Sequence, residues 1–515
     1  MRKFGKMSTG ALVALVMAAP LPVAAAEIVI GVASVRKGHD NRTETSNAST
    51  GIFYAIHEAL IERDAFQPGV FIPGLATEWE MIDDDTMELK LREGVTFHNG
   101  DTMDAYDVEA SLDPIIKLEN KRYRNPHGKM FYNFEDVEVV DDMTVRIHTK
   151  RPDALMETLL SVRNAGIRSL DRINDGQEDQ HGLHPIGAGP YKVASIVPGE
   201  SVMLERFDDY WGEPAPFDKV TFTRIPEVST RITALVNGEV DIVSEIPPDQ
   251  YALIDNETGL KRVEVTYPMY HVYLFNNAHP VTSDVKLRQA LTHAIDYEGL
   301  VEALFSGQGM APGGMQYKQV GETYNPDLDI FNYDLERARE LLAESDYGGE
   351  DVEITIYPNY YLYGELAAQA IQDMWQDIGV NVKLVHIPVG GLTVDKDPGT
   401  MVRNWSIPML YGDIMGVMDN ALTEDGWASK RGYFDPYADP RWLEYYEVAR
   451  FGQTVEERKE AYAKLHDVFS DLAPLIALYQ PADSYAMRAD IDFEIPTALR
   501  PFTLPLRAGQ ITVGE

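Results

Sequence analysis

Ala367 to Leu384 reads AAQAIQDMWQDIGVNVKL, and its two halves have different periods. Ala367, Ile371, Met374, Trp375 and Ile378 recur at helical spacing, Gly379 stops the pattern, and Val380, Val382 and Leu384 then alternate with polar residues as a strand does. A helix that gives way through glycine to a strand is the repeating unit of an α/β fold. The flanking sequence continues the pattern. Asp334 is placed to cap a helix over Leu335 to Glu344, and Ser283 or Asp284 to cap one whose buried face is Leu287, Leu291, Ala294 and Ile295. Thr454-x-x-Glu457 is a capping box followed by the stripe Ala461, Leu465, Phe469 and Leu472, and Pro474 ends that helix.

Nearer the beginning, Glu27 to Ser34 alternates apolar residues as a buried strand, and Ile52 to Ile61 places Ile52, Ile56, Ala59 and Leu60 on one helical face. Met87, Leu89, Leu91 and Val145, Ile147 predict half-exposed strands. Before all of these stand Arg2, Lys3 and Lys6, an apolar run from Ala11 to Ala19, and Ala24-x-Ala26, the order of a secretory signal peptide with the mature protein starting near Glu27. Setting aside those three basic residues leaves 42 of 45 Lys and Arg against 82 Asp and Glu, a formal charge of −40 that repels nucleic acid and anionic lipid. Cysteine is absent, which excludes disulfides, thiolate chemistry and cysteine metal clusters, and removes the residue a lipid anchor needs. The expectation is a protein that diffuses freely in a periplasm. Its 489 residues after the leader suggest about three folding units.

Five segments carry a resemblance. Leu91 to Asp101 (LREGVTFHNGD), followed by Ala105-Tyr106-Asp107-Val108, is a strand, an Asn99-Gly100 turn and a helix entry. Ile186-Gly187-Ala188-Gly189-Pro190-Tyr191-Lys192 precedes Phe207-Asp208-Asp209-Tyr210-Trp211-Gly212. Thr230 to Val243 contains a Gly238 to Ile242 turn into a strand, and Leu274-Phe275-Asn276-Asn277 leads to Val285 to Ile295 and Leu300 to Phe305. The last runs from Val455 to Ala473-Pro474-Leu475-Ile476-Ala477-Leu478-Tyr479. In this order the five resemble the bacterial extracellular solute-binding proteins of family 5, the dipeptide-, oligopeptide- and nickel-binding components of ABC importers.

The resemblance implies a two-lobed α/β periplasmic-binding-protein fold, type II of the large peptide-binding kind, with an extra domain inserted in the first lobe. Lobe I would comprise residues 27–56, 185–268 and 482–515, the insert 57–184 and lobe II 269–481, with hinges near Tyr270 to Phe275 and Ala477 to Tyr479. A small ligand would bind between the lobes and be handed to a membrane permease with its ATPase, by a monomer without cofactor or metal. A peptide or another amine-bearing nutrient is the expected cargo; an opine, an oligosaccharide, a metal chelate and a chemosensory role are the alternatives. In the peptide binders an acidic residue of a Gly-Trp-x-x-Asp stretch meets the ligand's ammonium. Here that stretch corresponds to Trp405 to Asp413 and then Met418-Asp419-Asn420, with Tyr411-Gly412 in place of the tryptophan spacing.

Asp413 is therefore the candidate ammonium contact, or else a turn residue after Gly412, and Asp419 stands beside it. Trp405 and Tyr411 are either an aromatic wall of the cleft or core. Asn276 either bonds the ligand or closes a strand end, and Ser46 and Asn47 either line the cleft or belong to a solvent loop. A secreted hydrolase is the competing class, but the sequence has no Gly-x-Ser-x-Gly elbow and no His-Glu-x-x-His, and His57-Glu58 lacks a second histidine. His181-x-x-His184 precedes Pro185 in a polar stretch without cysteine, a poor metal motif.

Overall fold

The computed structural model describes residues 27–42, 49–117, 130–177, 180–266, 268–358, 360–387, 399–409, 411–424, 426–493, 506 and 511–513. The expected leader, and Ser46 and Asn47, lie outside the described residues. Among the described residues, three larger sheets and two two-stranded ribbons organise the rest. A seven-stranded sheet has the spatial order Leu260–Thr266, Ala482–Arg488, Ile242–Val243, Glu27–Val32, Lys219–Arg224, Ser201–Arg206 and Tyr191–Val197. A five-stranded sheet has the order Val382–His386, Val352–Ile356, Val402–Pro408, Met269–Phe275 and Leu475–Tyr479, and a four-stranded antiparallel sheet the order Ala76–Met81, Thr86–Leu91, Thr144–Thr149 and Phe134–Asp141.

The chain passes between the two large sheets at Thr266 to Met269 and Tyr479 to Ala482. These crossings run side by side. Thr266 pairs with Ala482 in one sheet and His271 with Tyr479 in the other. They lie a few residues to one side of the hinges expected at 270–275 and 477–479, because those residues are already inside the five-stranded ladder.

Local chemistry accounts for the elements. Asp284, Asp334 and Asp439 each accept a backbone N–H at the start of a helix, and Asp104 and Asp107 form a reciprocal box on helix Ala105–Ile116. Thr454 caps Val455–Leu472 through Glu457 N at 3.2 Å, while the Glu457 carboxylate reaches back to Gln453 N at 3.2 Å, one residue earlier than the box predicts. The helix expected to reach Ile61 ends at Ile56. Backbone oxygens of Ile56, Ala59 and Leu60 accept from Gly189, Leu75 and Ala76, so the segment joins extended neighbours and Ile61 opens a strand.

The motif Gly187-Ala188-Gly189 is a close-packing device. A Cβ on Gly189 would lie 2.5 Å from Ala55 O and 2.6 Å from the Ile56 carbonyl carbon. His98 of the Asn-Gly segment clasps the same turn: its backbone N–H donates to Gly187 O at 2.9 Å, its Nδ1 accepts from Gly187 N at 3.3 Å, and its Nε2 donates to Gly189 O at 3.0 Å. Two of the sequence signatures thus form one joint between the seven-stranded and four-stranded units.

The apolar core of the four-stranded unit runs continuously into that of the five-stranded unit, whereas the seven-stranded sheet packs its own side chains in separate clusters. Polar contacts cross the same boundary. Arg450 of helix Pro440–Phe451 donates from Nη1 and Nη2 to Asp153 at 2.6 and 2.9 Å, with both side chains fully buried. Arg151 pairs with Glu447 nearby, while Tyr363 donates to Asp249 at 2.9 Å between the five-stranded and seven-stranded units.

Candidate functional site

In open α/β sheets ligands bind beyond the carboxyl ends of parallel strands. Val352–Ile356 runs parallel to both Val382–His386 and Val402–Pro408, so the ends of these three strands define one rim of the five-stranded unit. Pro408 lies opposite Met269 and Met409 N donates to Pro268 O at 2.9 Å, which puts that rim beside the interlobe crossing. The residues following these strands include Tyr357, Tyr360, Tyr361, Met409 and residues 411–414.

Arg63, on the short strand Ile61–Arg63, reaches the residues that follow strand Val402–Pro408. Its guanidinium lies against the bare backbone of Gly412, where any Cβ would collide with it. Its Nη2 is buried without a hydrogen-bond partner among the described residues. Burial lowers the Arg63 pKa from its ordinary value, opposed by Tyr54 and Asp413. Arg63 was not singled out by sequence, since a basic residue at a strand end ordinarily reads as solvated.

The 411–419 segment is knitted into the protein. Asp413 is 3% exposed; its oxygens accept from Arg458 Nη2 and Tyr462 Oη, each at 2.6 Å, and from Met415 N at 3.0 Å. The charge expected to meet a ligand ammonium meets Arg458 instead. Tyr411, read as a cleft wall or core, is buried, and its hydroxyl donates to Asp419, which also accepts from Tyr446 and lies 3.6 Å from Arg450 Nε. Burial raises the Asp419 carboxyl above its ordinary value, against the opposing pull of Arg450 and the two tyrosine hydroxyls. At Asp153 the balance reverses. Burial would raise its pKa, but the Arg450 charge and hydrogen bonds outweigh it and hold the carboxyl below its ordinary value.

Asn276 closes a strand end: its Nδ2 donates to Thr400 O at 2.8 Å and its Oδ1 accepts from Ala278 N at 3.1 Å. His181, from the candidate metal pair, accepts at Nδ1 from Arg42 Nη2 at 2.8 Å and donates from Nε2 to Asp175 at 3.0 Å. Arg42 in turn holds Asp40, which also binds Arg168 at 3.0 Å. No group of three or more potential metal ligands occurs among the described residues.

Of the expected residues, Trp405 is the one that remains half-buried at the rim with a ring face in play. It leans on Trp427 with ring centroids 5.4 Å apart, and the Arg403 guanidinium carbon lies 5.0 Å from its centroid. Tyr357 closes the group from the end of the neighbouring strand, 5.6 Å from the same guanidinium. Tyr357 and Trp427 are separated from this strand by tens of residues in sequence. The one local trace is the Arg403-x-Trp405 alternation, which puts both on one strand face.

Two lobes joined by a paired crossing, with a cationic and aromatic rim between them, define a two-lobed solute-binding protein. The sequence pattern for the middle region of the bacterial extracellular solute-binding proteins, family 5, matches residues 70–429, and the chain belongs to that family. It is 26% identical over 442 residues to the dipeptide-binding protein of Escherichia coli K12, covering 79% of this chain and 80% of that one. It is 25% identical over 473 residues to the glutathione-binding protein GsiB of Salmonella paratyphi A, covering 90% and 85%. Among solved structures, the periplasmic binding protein DppA of Helicobacter pylori in complex with the peptide STSA superposes with a TM-score of 0.82 at 20% identity, covering 95% of this chain and 98% of that one. AgaA of A. tumefaciens R10 with agropinic acid gives 0.81 at 22% identity, covering 95% and 99%. Among the described residues no helix is long and apolar enough to cross a membrane.

Proposed function

We propose that this chain captures a small peptide-like solute between its lobes outside the cytoplasm and delivers it to the permease and ATPase of an ABC importer, acting as a carrier and not as an enzyme. Residues 1–26 serve as a cleaved leader in this reading, and the absence of cysteine leaves the mature monomer without a lipid anchor. The observation that carries it is the paired crossing at 266–269 and 479–482, beside which residues of both lobes meet. Only closure brings both lobes onto a ligand, so the ligand shifts a population and the closed outer face is what the permease reads. The relatives named for dipeptide and glutathione suggest the size of the cargo.

A thermal-shift screen of residues 27–515 against dipeptides, tripeptides, glutathione, opines, oligosaccharides and nickel–histidine tests it. At a hundredfold excess over Kd a true ligand stabilises by about 2.7 kcal/mol. Stabilisation by peptides or glutathione supports the proposal; hits confined to sugars or chelates keep the carrier and contradict the cargo. Turnover of a peptide or ester would revive the hydrolase.

A further inference from the structure

Left-handed backbone belongs to glycine, because a Cβ there crowds the carbonyl that follows. Among the described residues Glu245, Ser306, Tyr363 and Ala473 adopt it without being glycine. Ser306 and Ala473 end helices, where such a residue closes the last turn, and the Tyr363 hydroxyl donates to Asp249 in the other lobe. Glu245, with φ of +58°, ends no helix. It stands just past the carboxyl end of Ile242–Val243, which runs parallel to Glu27–Val32 in the middle of the seven-stranded sheet. Its backbone is held from two sides. Arg231, 1% exposed, donates from Nε to Ser244 O at 3.2 Å, from Nη2 to Glu245 O at 3.1 Å, and from Nη1 to the carbonyls of Ile225 and Pro226, each at 2.8 Å. On the strand that leaves the crossing, Ser484 O accepts from Ile246 N at 3.3 Å and Ser484 Oγ donates to Ile246 O at 2.8 Å.

Backbone strain that a buried arginine and a neighbouring strand over-determine is the kind kept for a function. The Glu245 carboxylate has no structural use of its own. It is half-buried, it forms no hydrogen bond or salt bridge among the described residues, and its oxygens are not sealed from solvent. Burial raises its pKa above the ordinary value, and Arg231, acting from a distance, only partly opposes that. Such a carboxylate is completed by a cation that brings hydrogen-bond donors. A metal ion needs several ligands, and no group of three or more occurs among the described residues, whereas one carboxylate suffices for an ammonium. Asp249, four residues on, touches Tyr363 of the five-stranded unit, so the segment carrying Glu245 lies where the lobes meet. In lobe II Asp413 is engaged by Arg458, which leaves a cation contact to the other lobe.

Resting on the carrier reading above, we propose that Glu245 of the seven-stranded lobe holds a positively charged amine of the transported solute, with Arg231 as the residue that positions its backbone. The cargo then carries an ammonium, and its charge is read by lobe I and not by Asp413.

Calorimetric titration of residues 27–515 with alanyl-alanine, lysyl-alanine, their Nα-acetyl forms, a neutral trisaccharide and nickel–histidine tests this, beside Glu245→Gln and Glu245→Gly. The expected result is binding by dipeptides that carry an ammonium, with a tenfold or greater loss for acetyl-alanyl-alanine, which carries none. Both variants should lose tenfold or more toward the charged dipeptides and little further toward acetyl-alanyl-alanine, as a direct pairing requires. Retained, Glu245-dependent binding of acetyl-lysyl-alanine assigns the contact to a side-chain amine; its loss assigns it to the α-ammonium. The ligand-free Glu245→Gln protein should keep the parent's melting point, and Glu245→Gly should match or exceed it because the left-handed strain is gone. Equal affinity for all four dipeptides, unchanged affinity in either variant, or a melting point several degrees lower in Glu245→Gln would overturn the proposal. Binding of only the trisaccharide or nickel–histidine would overturn it and leave the carrier reading standing, and binding of no solute at all would overturn both.

Discussion

Asp413 and Arg458 show how burial converts a charge into a structural part. With both oxygens engaged, deleting the carboxylate strands a guanidinium in the interior, a change that costs roughly 3–5 kcal/mol. Asp413→Ala is therefore expected to shift a urea unfolding curve by that amount, while folded protein keeps ligand affinity within a few-fold. Normal stability with lost binding would return Asp413 to the ammonium role. His98 supplies a pH dependence. Burial holds its pKa down at about 4, opposed by its bond to Gly189, against an ordinary 6.5. The folded protein thus binds fewer protons than the unfolded chain between those values, and stability falls as pH drops from 6.5 toward 4, by up to about 3 kcal/mol from this group. Melting temperatures across that window should show the decline, and His98→Gln should lessen it. Neither partnership was legible beforehand. Asp413 could be picked out by its place after Gly412, but its partner sits on a helix more than forty residues away, and sequence spacing does not report which charge meets which in three dimensions.

At the scale of elements, legibility was much better, because caps and stripes are local. Asp284, Asp334 and Thr454 start helices as their side chains dictate, and Gly379, with φ of +98°, ends one as a left-handed residue does. The helix expected to reach Ile61 failed for a non-local reason: Leu75, Ala76 and Gly189 supply backbone donors that capture it in extended form. Turns that look like ligand loops can be packing joints, as Gly187-Ala188-Gly189 is. Gly189→Ala is expected to destabilise by about 1–3 kcal/mol or to abolish folding, since its Cβ would press on helix backbone. A melting point unchanged within a degree would contradict that. Gly412→Ala acts differently, because its obstacle is the far end of the Arg63 side chain. The expected outcome is near-normal stability with weakened ligand binding, read by calorimetry, as Arg63 is displaced from the Gly412 backbone.

On the scale of the molecule, the sequence carried the two-lobed α/β plan through an ordered series of turns and helix entries, and the seven-, five- and four-stranded sheets lie where those segments place strands. It carried nothing about how the four-stranded unit meets the five-stranded one, which depends on side chains remote in sequence. Asp153 and Arg450 join these units, and each half has support of its own: Asn133 and Leu155 N hold Asp153, and Asp419 lies beside Arg450. Such a pair can separate and reform, so it biases closure without touching ligand. Asp153→Asn is expected to weaken ligand affinity about tenfold or more, chiefly through faster release, and stopped-flow fluorescence reads both rates.

The central claim is that ligand draws two lobes together, and the absence of native cysteine makes it directly measurable. Val197 and Tyr437 are exposed positions, one on the seven-stranded unit and one on the five-stranded side. Replacing both by cysteine and attaching a donor and acceptor dye reports the interlobe distance. Transfer efficiency should change saturably with added ligand, with the same midpoint as calorimetric binding. Saturated binding with no change in transfer would contradict the account.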